Sequence, residues 1–262
     1  MKTIQLKQID HSMKPGDEPG AVEPTVFDDT ILVDENRKVV GFYLREAPEP
    51  IGKLATIADV ELRSSRVPKS KMGRYSGFSP GDKSDETRVF QYSCITGSVP
   101  PRPHCRRPYP QRSSVHNVRS ADMFVRAMSQ AGKRMLELIR DVDAELYATH
   151  REAVERRVPN RWRWSDLYTS SISNVNIAAT YHRDRLNVRG SVNTIIAKRK
   201  NSTGGSLVVP DYGLCFAQTD GSVLVYPAWR NIHAVTPIVP THRGGYRNAL
   251  VWYALDQFGK YP

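Results

Sequence analysis

The sequence lacks any long apolar stretch, and this absence argues against a membrane protein. No run of residues reaches the roughly 18 apolar positions that a membrane-spanning helix needs, so we expect no membrane partner. The opening segment, MKTIQLKQIDHSMKPGDEPG, has no apolar core of the kind found in secretory signals. We therefore expect an intracellular protein, either cytoplasmic or nuclear.

Cysteine is also scarce. Cys94, Cys105 and Cys215 are widely spaced and odd in number, and no C-x-x-C motif is present. This pattern argues against a disulfide framework or a zinc knuckle and favours a reducing compartment.

Acidic side chains are few in the middle of the chain, although the protein has a net charge of +11. Residues 61–120 contain 12 basic and 4 acidic side chains, whereas residues 1–60 contain 7 basic and 11 acidic ones. A basic middle suggests a surface that binds a polyanion, and we expect DNA as the partner. In a proline-rich loop, four arginines are candidates for phosphate contacts: Arg102, Arg106, Arg107 and Arg112. A solvated linker is the alternative interpretation of this loop.

The order of patterns predicts one integrated catalytic domain with three regions. Residues 1–30 read as a flexible polar arm. Residues 31–165 read as a hairpin (31–46), a short helix (52–65), an irregular basic stretch (66–119) and a long helix that Ser120 caps and that continues to about 157. Residues 166–262 contain short β-rich runs separated by glycine turns, which favours a sandwich or barrel. We expect an α+β fold that is mainly β, and a monomer.

One stretch with strand character, TYHRDRLN, places an imidazole and a carboxylate two residues apart, at His182 and Asp184. Alternate residues of a strand share one face. His233 follows 49 residues after Asp184 in the run WRNIHAVTP. Two histidines and one carboxylate are the ligand set of non-haem Fe(II) oxygenases. A surface strand with solvated polar residues is the alternative.

An oxygenase of this kind that uses 2-oxoglutarate needs a fixed partner for the far carboxylate of the co-substrate. Arginine suits this role because its planar guanidinium binds a carboxylate through two parallel hydrogen bonds. Arg243 lies in a turn before two glycines, whereas Arg247 opens the run RNALVWYAL. A strand holds a side chain more rigidly than a turn, so Arg247 is favoured.

Four segments in this order resemble the catalytic core of Fe(II)/2-oxoglutarate dioxygenases: TYHRDRLN, GGSLVVPDYG, DGSVLVYPAWRNIHAVTP and YRNALVWY. Within that superfamily, HRDxxN, HAxTP and RxxLVxY resemble the TET/JBP family, which oxidises the 5-methyl group of pyrimidines in nucleic acid. The resemblance covers roughly residues 167–256. It implies a double-stranded β-helix (jelly-roll) core with flanking helices, and it implies Fe(II), 2-oxoglutarate and O₂ as cofactor and co-substrates.

Position by position, the resemblance implies roles for individual residues. His182, Asp184 and His233 would be the iron ligands, and Arg247 would bind 2-oxoglutarate. Asn187 would contact the target base and Tyr253 would stack on it, although Asn187 could merely cap a turn and Tyr253 could be ordinary core. Arg74 is a further candidate on the substrate side. Where the TET pattern has a base-contacting histidine, this chain has Leu255, which leaves the choice between cytosine and thymine open.

The function predicted from the sequence is hydroxylation of 5-methylcytosine in DNA to 5-hydroxymethylcytosine, with thymine as a possible second target. Two alternatives come from other classes of protein. One is a prolyl-type protein hydroxylase with the same iron site, and the other is a non-enzymatic jelly-roll module that binds nucleic acid. Iron-dependent formation of succinate separates both enzymes from the binding module.

Overall fold

The structure, a computed structural model, describes residues 1–76, 90–102 and 107–261, with the side chains of 74–76 excepted. These residues form three α-helices, α1 (Glu49–Arg63), α2 (Asp122–Val142) and α3 (Ala144–Arg157). They also form sixteen strands, which are β1 (Lys2–Gln5), β2 (Thr30–Val33), β3 (Val39–Leu44), β4 (Gly73–Ser76), β5 (Gln91–Val99), β6 (Gln111–Arg112), β7 (Ser170–Val175), β8 (Ala179–His182), β9 (Asn193–Lys200), β10 (Ser202–Gly204), β11 (Leu207–Val209), β12 (Leu214–Phe216), β13 (Val223–Tyr226), β14 (His233–Val235), β15 (Ile238–Pro240) and β16 (Tyr246–Tyr253).

Two sheets face each other and form the core of the protein. The main sheet has the strand order β1-β2-β3-β13-β9-β16-β7-β5-β4, with β6 paired to β5, and the minor sheet has the order β12-β11-β14-β8. Tyr43, Ile195 and Leu224 from the main sheet pack with Leu207 and Phe216 from the minor sheet. This arrangement confirms the predicted jelly-roll core, since the two sheets bury their apolar faces against each other.

The opposite face of the main sheet is covered by helices. Along β16, Leu250 and Trp252 belong to the cluster that includes the buried faces of α1 and α2, and the Trp252 indole donates a hydrogen bond to the carbonyl of Met128 at 2.8 Å. Gly132 of α2 allows this approach, because a Cβ atom there would lie 2.7 Å from the Trp252 ring. The alternation along β16 therefore leaves its other face for the interior between the sheets.

The helical region differs from its prediction. The sequence predicts one helix from Ser120 to about 157, but the chain becomes extended at Asp143 and forms two helices. The Asp143 carboxylate accepts a hydrogen bond from the Leu146 amide at 2.6 Å and so caps α3. Ser120 caps nothing, since its hydroxyl donates to the carbonyl of Arg66. No helix in the described part of the chain is both long and apolar enough to cross a membrane.

Strand β5 also differs from its prediction, because the sequence predicts irregular structure throughout residues 66–119. This strand lies between β4 and β7 in the main sheet. Small hydroxyl side chains join it to β7: Thr96 and Ser171 share a hydrogen bond of 2.5 Å, and the Ser170 hydroxyl donates to the carbonyl of Ser98 at 2.7 Å. The strand was not predicted because its two serines and one threonine are polar residues, which do not indicate a buried strand in a sequence. In the fold these side chains are buried and hydrogen-bonded.

The N-terminal segment, predicted to be a loose arm, lies against the core instead. β1 pairs in parallel with β2, and Val26 forms a bridge with Phe216 of the minor sheet. The predicted hairpin at 31–46 is confirmed, because β2 and β3 are antiparallel neighbours. Since the main sheet combines strands from both sides of residue 166, the three sequence regions share one core.

Candidate active site

Two antiparallel strands of the minor sheet bring the two predicted histidine ligands together. His182 at the end of β8 lies opposite His233 at the start of β14, and their ring centroids are 4.3 Å apart. The Nδ1 atom of His182 lies 2.7 Å from the carbonyl of Thr180, and that of His233 lies 3.1 Å from the carbonyl of Asn231. Because a carbonyl can only accept, Nδ1 carries the proton in each neutral ring, which leaves both Nε2 lone pairs for a metal.

Asp184 completes the set two residues after the end of β8. Its Oδ2 atom accepts hydrogen bonds from Asn193 at 2.9 Å and from Asn187 at 3.3 Å. Its Oδ1 atom lies 3.7 Å from the Nε2 atom of His182. One carboxylate oxygen is therefore held by amides, while the other faces the histidines.

The predicted ligand atoms of His182, Asp184 and His233 all lie within 4.8 Å of one another. Burial lowers the pKa of His233 to about 4, so this imidazole is neutral and can act as a ligand. One imidazole nitrogen from each histidine and one carboxylate oxygen would suit Fe(II), and this ligand set leaves coordination positions for co-substrates. A strand with merely solvated polar residues would not produce this convergence.

A cavity of about 510 Å³ lies between the two sheets and has this cluster in its wall. Arg247, Ala249, Val251 and Tyr253 of β16 all line it, as the two-residue period of the strand predicts. Arg247 and Ala249 are buried, whereas Val251 and Tyr253 are partly exposed. We call the part of the wall formed by Arg247, Ala249 and the His182, Asp184 and His233 cluster the floor of the cavity, and the part around Tyr253 the rim.

Arg247 is a buried cation at this floor, with only 2% of its surface exposed. Within the described part of the chain, its side-chain hydrogen bond goes to the Gln218 carboxamide oxygen at 3.3 Å, and its Nε atom has no partner. Burial, with a smaller contribution from nearby Arg199, lowers the pKa of Arg247 to about 9. Because a buried charge without a counterion costs several kcal/mol, the site fits a carboxylate ligand.

The neighbouring glycines shape the space that Arg247 occupies. Gly205 has a φ of +68°, and a Cβ atom there would lie 2.9 Å from the Arg247 side chain. The sequence alone supports only a hairpin turn at this position, so this packing role was missed. Arg243, the competing candidate, is exposed in the turn before β16 and does not line the cavity.

Asn187 lies in the cavity wall, but its amide nitrogen is already engaged. That nitrogen donates to the Asn193 side-chain oxygen at 2.7 Å and to Asp184 at 3.3 Å, and the residue is 5% exposed. An amide nitrogen has two hydrogens to donate. Asn187 therefore supports the candidate ligand Asp184, and a base contact, which stays a prediction, would fall to its oxygen.

The rim of the cavity carries apolar and basic side chains. Tyr253, Leu255 and Leu186 also border a second cavity of about 320 Å³, and Leu186 is 56% exposed. Arg183 and Arg185, both exposed, line the mouth of the first cavity. The rim thus combines features that suit a flat ring and a phosphate backbone.

The four predicted phosphate-binding arginines do not share one environment. Arg102 borders the second cavity and pairs with Arg107 through two backbone hydrogen bonds. The Arg112 guanidinium instead donates to the Ser98 hydroxyl and to the carbonyls of Arg161 and Arg163, and partial burial lowers its pKa. Arg112 is therefore already engaged in hydrogen bonds within the protein, although its side chain is exposed, and its role in phosphate binding stays a prediction.

Two further predicted site residues, Arg106 and Arg74, are not fully described by the structure. Arg106 lies outside the described residues. The backbone of Arg74 belongs to β4, beside β5 at one end of the main sheet, but its side chain is not described, so its role stays a prediction.

Several residues of the site were missed from the sequence. Asn193 holds both Asp184 and Asn187, and a polar residue at the start of the apolar run NTIIA is a detectable signal. Tyr226 lines the cavity with its ring edge-on to His233, at a centroid distance of 5.4 Å. Gln218, the hydrogen-bond partner of Arg247, could not be identified from the sequence, because the two residues are distant in sequence and meet only in the folded protein.

Comparison with known proteins gives an independent result. A family model, Tet_JBP, described as the oxygenase domain of the 2OGFeDO superfamily, matches residues 100–255. Among solved structures, NgTET1 in complex with 5mC DNA is similar with a TM-score of 0.59 and 15% sequence identity, over 96% of this chain and 85% of that one. At this identity the likeness shows the fold, and it agrees with the jelly-roll core described above.

Two other solved structures show weaker likeness. A 2OG-Fe(II) oxygenase family oxidoreductase from Burkholderia pseudomallei has 16% identity and a TM-score of 0.45, over 82% of this chain and 84% of that one. A prolyl hydroxylase from Trichoplax adhaerens, in complex with a hypoxia inducible factor peptide fragment, has 10% identity and a TM-score of 0.43, over 85% and 87%. TM-scores below 0.5 carry no argument about substrate. No curated protein matches the chain.

Proposed function

Because the chain belongs to the Tet_JBP oxygenase family of the 2OGFeDO superfamily, we propose that it hydroxylates the 5-methyl group of 5-methylcytosine in DNA, with thymine as the second choice. The enzyme class, with its use of Fe(II), 2-oxoglutarate and O₂, follows from the family. One observation carries the proposal: a single cavity combines a His-Asp-His cluster and a buried arginine at its floor with an aromatic, basic rim.

The floor supplies the chemistry that the family requires. His182, Asp184 and His233 would hold the metal, and Arg247 would bind the far carboxylate of 2-oxoglutarate. An iron held there would supply the oxidising chemistry of the family, in which one atom of O₂ enters a methyl C–H bond and the other goes into the succinate formed, with CO₂, from 2-oxoglutarate. The protein contributes binding, orientation and a cavity wall that limits the entry of water.

The rim would receive a base that has left the DNA duplex. Flipping a base out of the stack costs a few kcal/mol, and stacking on an aromatic ring returns about 1–3 kcal/mol. Tyr253 is partly exposed at the open end of the cavity-facing row of β16. This position in the cavity wall supports a role for its ring in stacking on a flipped base.

Cytosine is favoured over thymine by the hydrogen-bonding capacity of Asn187. Since its nitrogen donates to Asp184 and Asn193, its oxygen is the atom left for the base, and an oxygen only accepts. At the exocyclic group on C4, cytosine presents an amino donor where thymine presents a carbonyl acceptor, so a contact of the Asn187 oxygen with that group would favour cytosine. Leu255, which also lines the cavity, adds no hydrogen bond, so the preference rests on Asn187.

DNA as the partner is supported by charge. Arg183 and Arg185 at the mouth are exposed, and Arg102 lies beside the adjoining cavity. Contacts between such side chains and phosphates position a duplex without reading its sequence. NgTET1, a similar structure, was solved with 5mC DNA, which fits this partner.

The test is a comparison of substrates in one assay. Succinate formation is measured with Fe(II), 2-oxoglutarate and either methylated duplex, unmethylated duplex, a proline-containing peptide or no second substrate. We expect methylated duplex to stimulate succinate formation most. Stimulation by the peptide alone would move the protein to the prolyl-type hydroxylases, and no iron-dependent succinate under any condition would indicate a non-enzymatic binding module.

A further inference from the structure

The N-terminal segment 9–17 contacts the supports of both candidate histidine ligands. At one end, the Ile9 amide donates to the carbonyl of Asp211 at 2.9 Å, and the His11 Nε2 atom lies 2.8 Å from the Asp211 carboxylate. At the other end, the Gly16 amide donates to the carbonyl of Tyr181, and the Tyr181 amide donates to the carbonyl of Asp17. We call this segment the N-terminal brace.

The first contact leads to His233 through three hydrogen bonds. The second oxygen of Asp211 accepts from the Asn231 side chain at 2.7 Å and from the Ile232 amide at 3.3 Å. The carbonyl of Asn231 then accepts from Nδ1 of His233 at 3.1 Å. This series of hydrogen bonds fixes the Asn231–Ile232 peptide, whose carbonyl sets the tautomer and orientation of the His233 ring.

Asp211 is suited to this role because it is an ionised group inside the protein, with 4% of its surface exposed. Burial alone would raise its pKa, but hydrogen bonds from Asn231, His11 and the Ile232 amide lower it overall. A buried carboxylate holds its donors strongly. Removing His11 would leave one Asp211 oxygen without this donor. It would therefore weaken the series of hydrogen bonds from Asp211 to His233 at its first member.

The second contact lies beside His182. β8 is the last strand in the order of the minor sheet, with β14 on one side. Tyr181 directly precedes the ligand, and both its backbone amide and its carbonyl bind the brace. The brace therefore pairs with the outer edge of β8 and limits the movement of the peptide that carries His182.

We propose that residues 9–17 position the two histidine ligands and thereby set the metal affinity of the site. The proposal rests on the assignment of His182, Asp184 and His233 as ligands. His11 touches none of the reacting groups and acts through Asp211, so it is a positioning residue. Loss of a group that hydrogen-bonds a metal ligand directly weakens metal binding by about 10- to 100-fold, and the loss of a more remote support such as His11 should have a smaller effect.

The test titrates the metal-free 262-residue chain with Co(II), a spectroscopic probe for a ferrous site, and records affinity and visible absorption. We expect His11→Ala to weaken Co(II) binding by up to roughly 10-fold, the lower end of the loss for a direct support, and to change the absorption bands. His11→Gln keeps an N–H donor and should restore most of the affinity. The control is Asp29→Ala, which removes a carboxylate bond to the Arg45 amide of 2.8 Å at a residue that takes no part in the hydrogen bonds of the brace.

Gly16→Ala tests the other contact without removing a buried polar group. Gly16 has a φ of +102°, which strains an alanine there, although nothing lies within 4 Å of the added Cβ. We expect weaker Co(II) binding in this variant too, and it serves if His11→Ala does not fold. Wild-type affinity in both folded variants, or an equal loss in Asp29→Ala, would overturn the proposal. Unchanged Co(II) binding in Asp184→Ala would instead show that the ligand assignment itself is wrong.

Discussion

The floor and the rim of the central cavity are built in different ways. At the floor, Asp184 and His233 are held by hydrogen bonds to amides and carbonyls, and Arg247 is buried with an unpartnered Nε atom within the described residues. At the rim, Leu186 is 56% exposed and Tyr253 is partly exposed. Under the proposed function, the floor would perform the reaction common to the family, whereas the rim would select what is oxidised.

The largest effects should come from the metal ligands at the floor. We expect His182→Ala, Asp184→Ala and His233→Ala each to reduce iron-dependent succinate formation to background, because a facial triad has no spare protein ligand. Circular dichroism should show a retained fold. Full activity in Asp184→Ala would show that the floor of the cavity does not hold the iron, and the assignment of the reaction to the floor would be wrong.

The second largest effect should come from Arg247. Arg247→Ala removes charge-assisted hydrogen bonds worth about 1.5–3 kcal/mol, so we expect the KM for 2-oxoglutarate to rise roughly 10- to 100-fold. Arg243→Ala is the matched control, since Arg243 is exposed outside the cavity. If Arg243→Ala raised KM and Arg247→Ala did not, the co-substrate would bind elsewhere.

A rim variant should separate base oxidation from use of the co-substrate. Tyr253→Ala loses a stacking contact of about 1–3 kcal/mol, so we expect base oxidation to fall roughly 5- to 100-fold. The KM for 2-oxoglutarate should stay within about twofold of wild type, since the stacking contact with the base is separate from the buried arginine at the floor. Tyr109→Ala, at a tyrosine 72% exposed outside the cavity, is the control. An equal loss in both variants would mean that Tyr253 has no special contact with the base.

The smallest effects should come from the arginines outside the cavity. We expect Arg102→Ala to reduce the salt dependence of DNA binding by about one phosphate contact. Arg112→Ala should instead lower the thermal midpoint, because it removes hydrogen bonds to Ser98, Arg161 and Arg163. An unchanged salt slope in Arg102→Ala would mean that the proline-rich loop does not contact phosphate.

Local patterns explain which parts of this molecule could be predicted from sequence. The period of β16 identified the cavity-facing row that begins at Arg247, and the H-x-D spacing identified two members of the metal cluster. The Asp143 cap was also visible, since aspartate is a strong N-cap residue, but the amphipathic stripe that continues across it suggested a single helix.

The remaining features depend on contacts between distant positions. His11 and Asp211 are 200 residues apart, and β5 is recognisable only once β7 lies beside it with matching hydroxyl side chains. The N-terminal brace has the composition of a loose arm because its hydrogen bonds are mostly backbone bonds. Almost any residue type can form a backbone hydrogen bond, so the sequence does not indicate where such bonds occur. Segments held in this way are therefore predicted to be unstructured.

The most direct test of the account identifies the product base. Duplex DNA containing 5-methylcytosine is incubated with the protein, Fe(II) and 2-oxoglutarate, digested to nucleosides and analysed by mass spectrometry, with Asp184→Ala as the inactive control. The account predicts 5-hydroxymethylcytosine from the wild-type protein alone, in excess over 5-hydroxymethyluracil from thymine. Succinate formation without either hydroxymethylated base would contradict the assignment of the rim to a flipped pyrimidine.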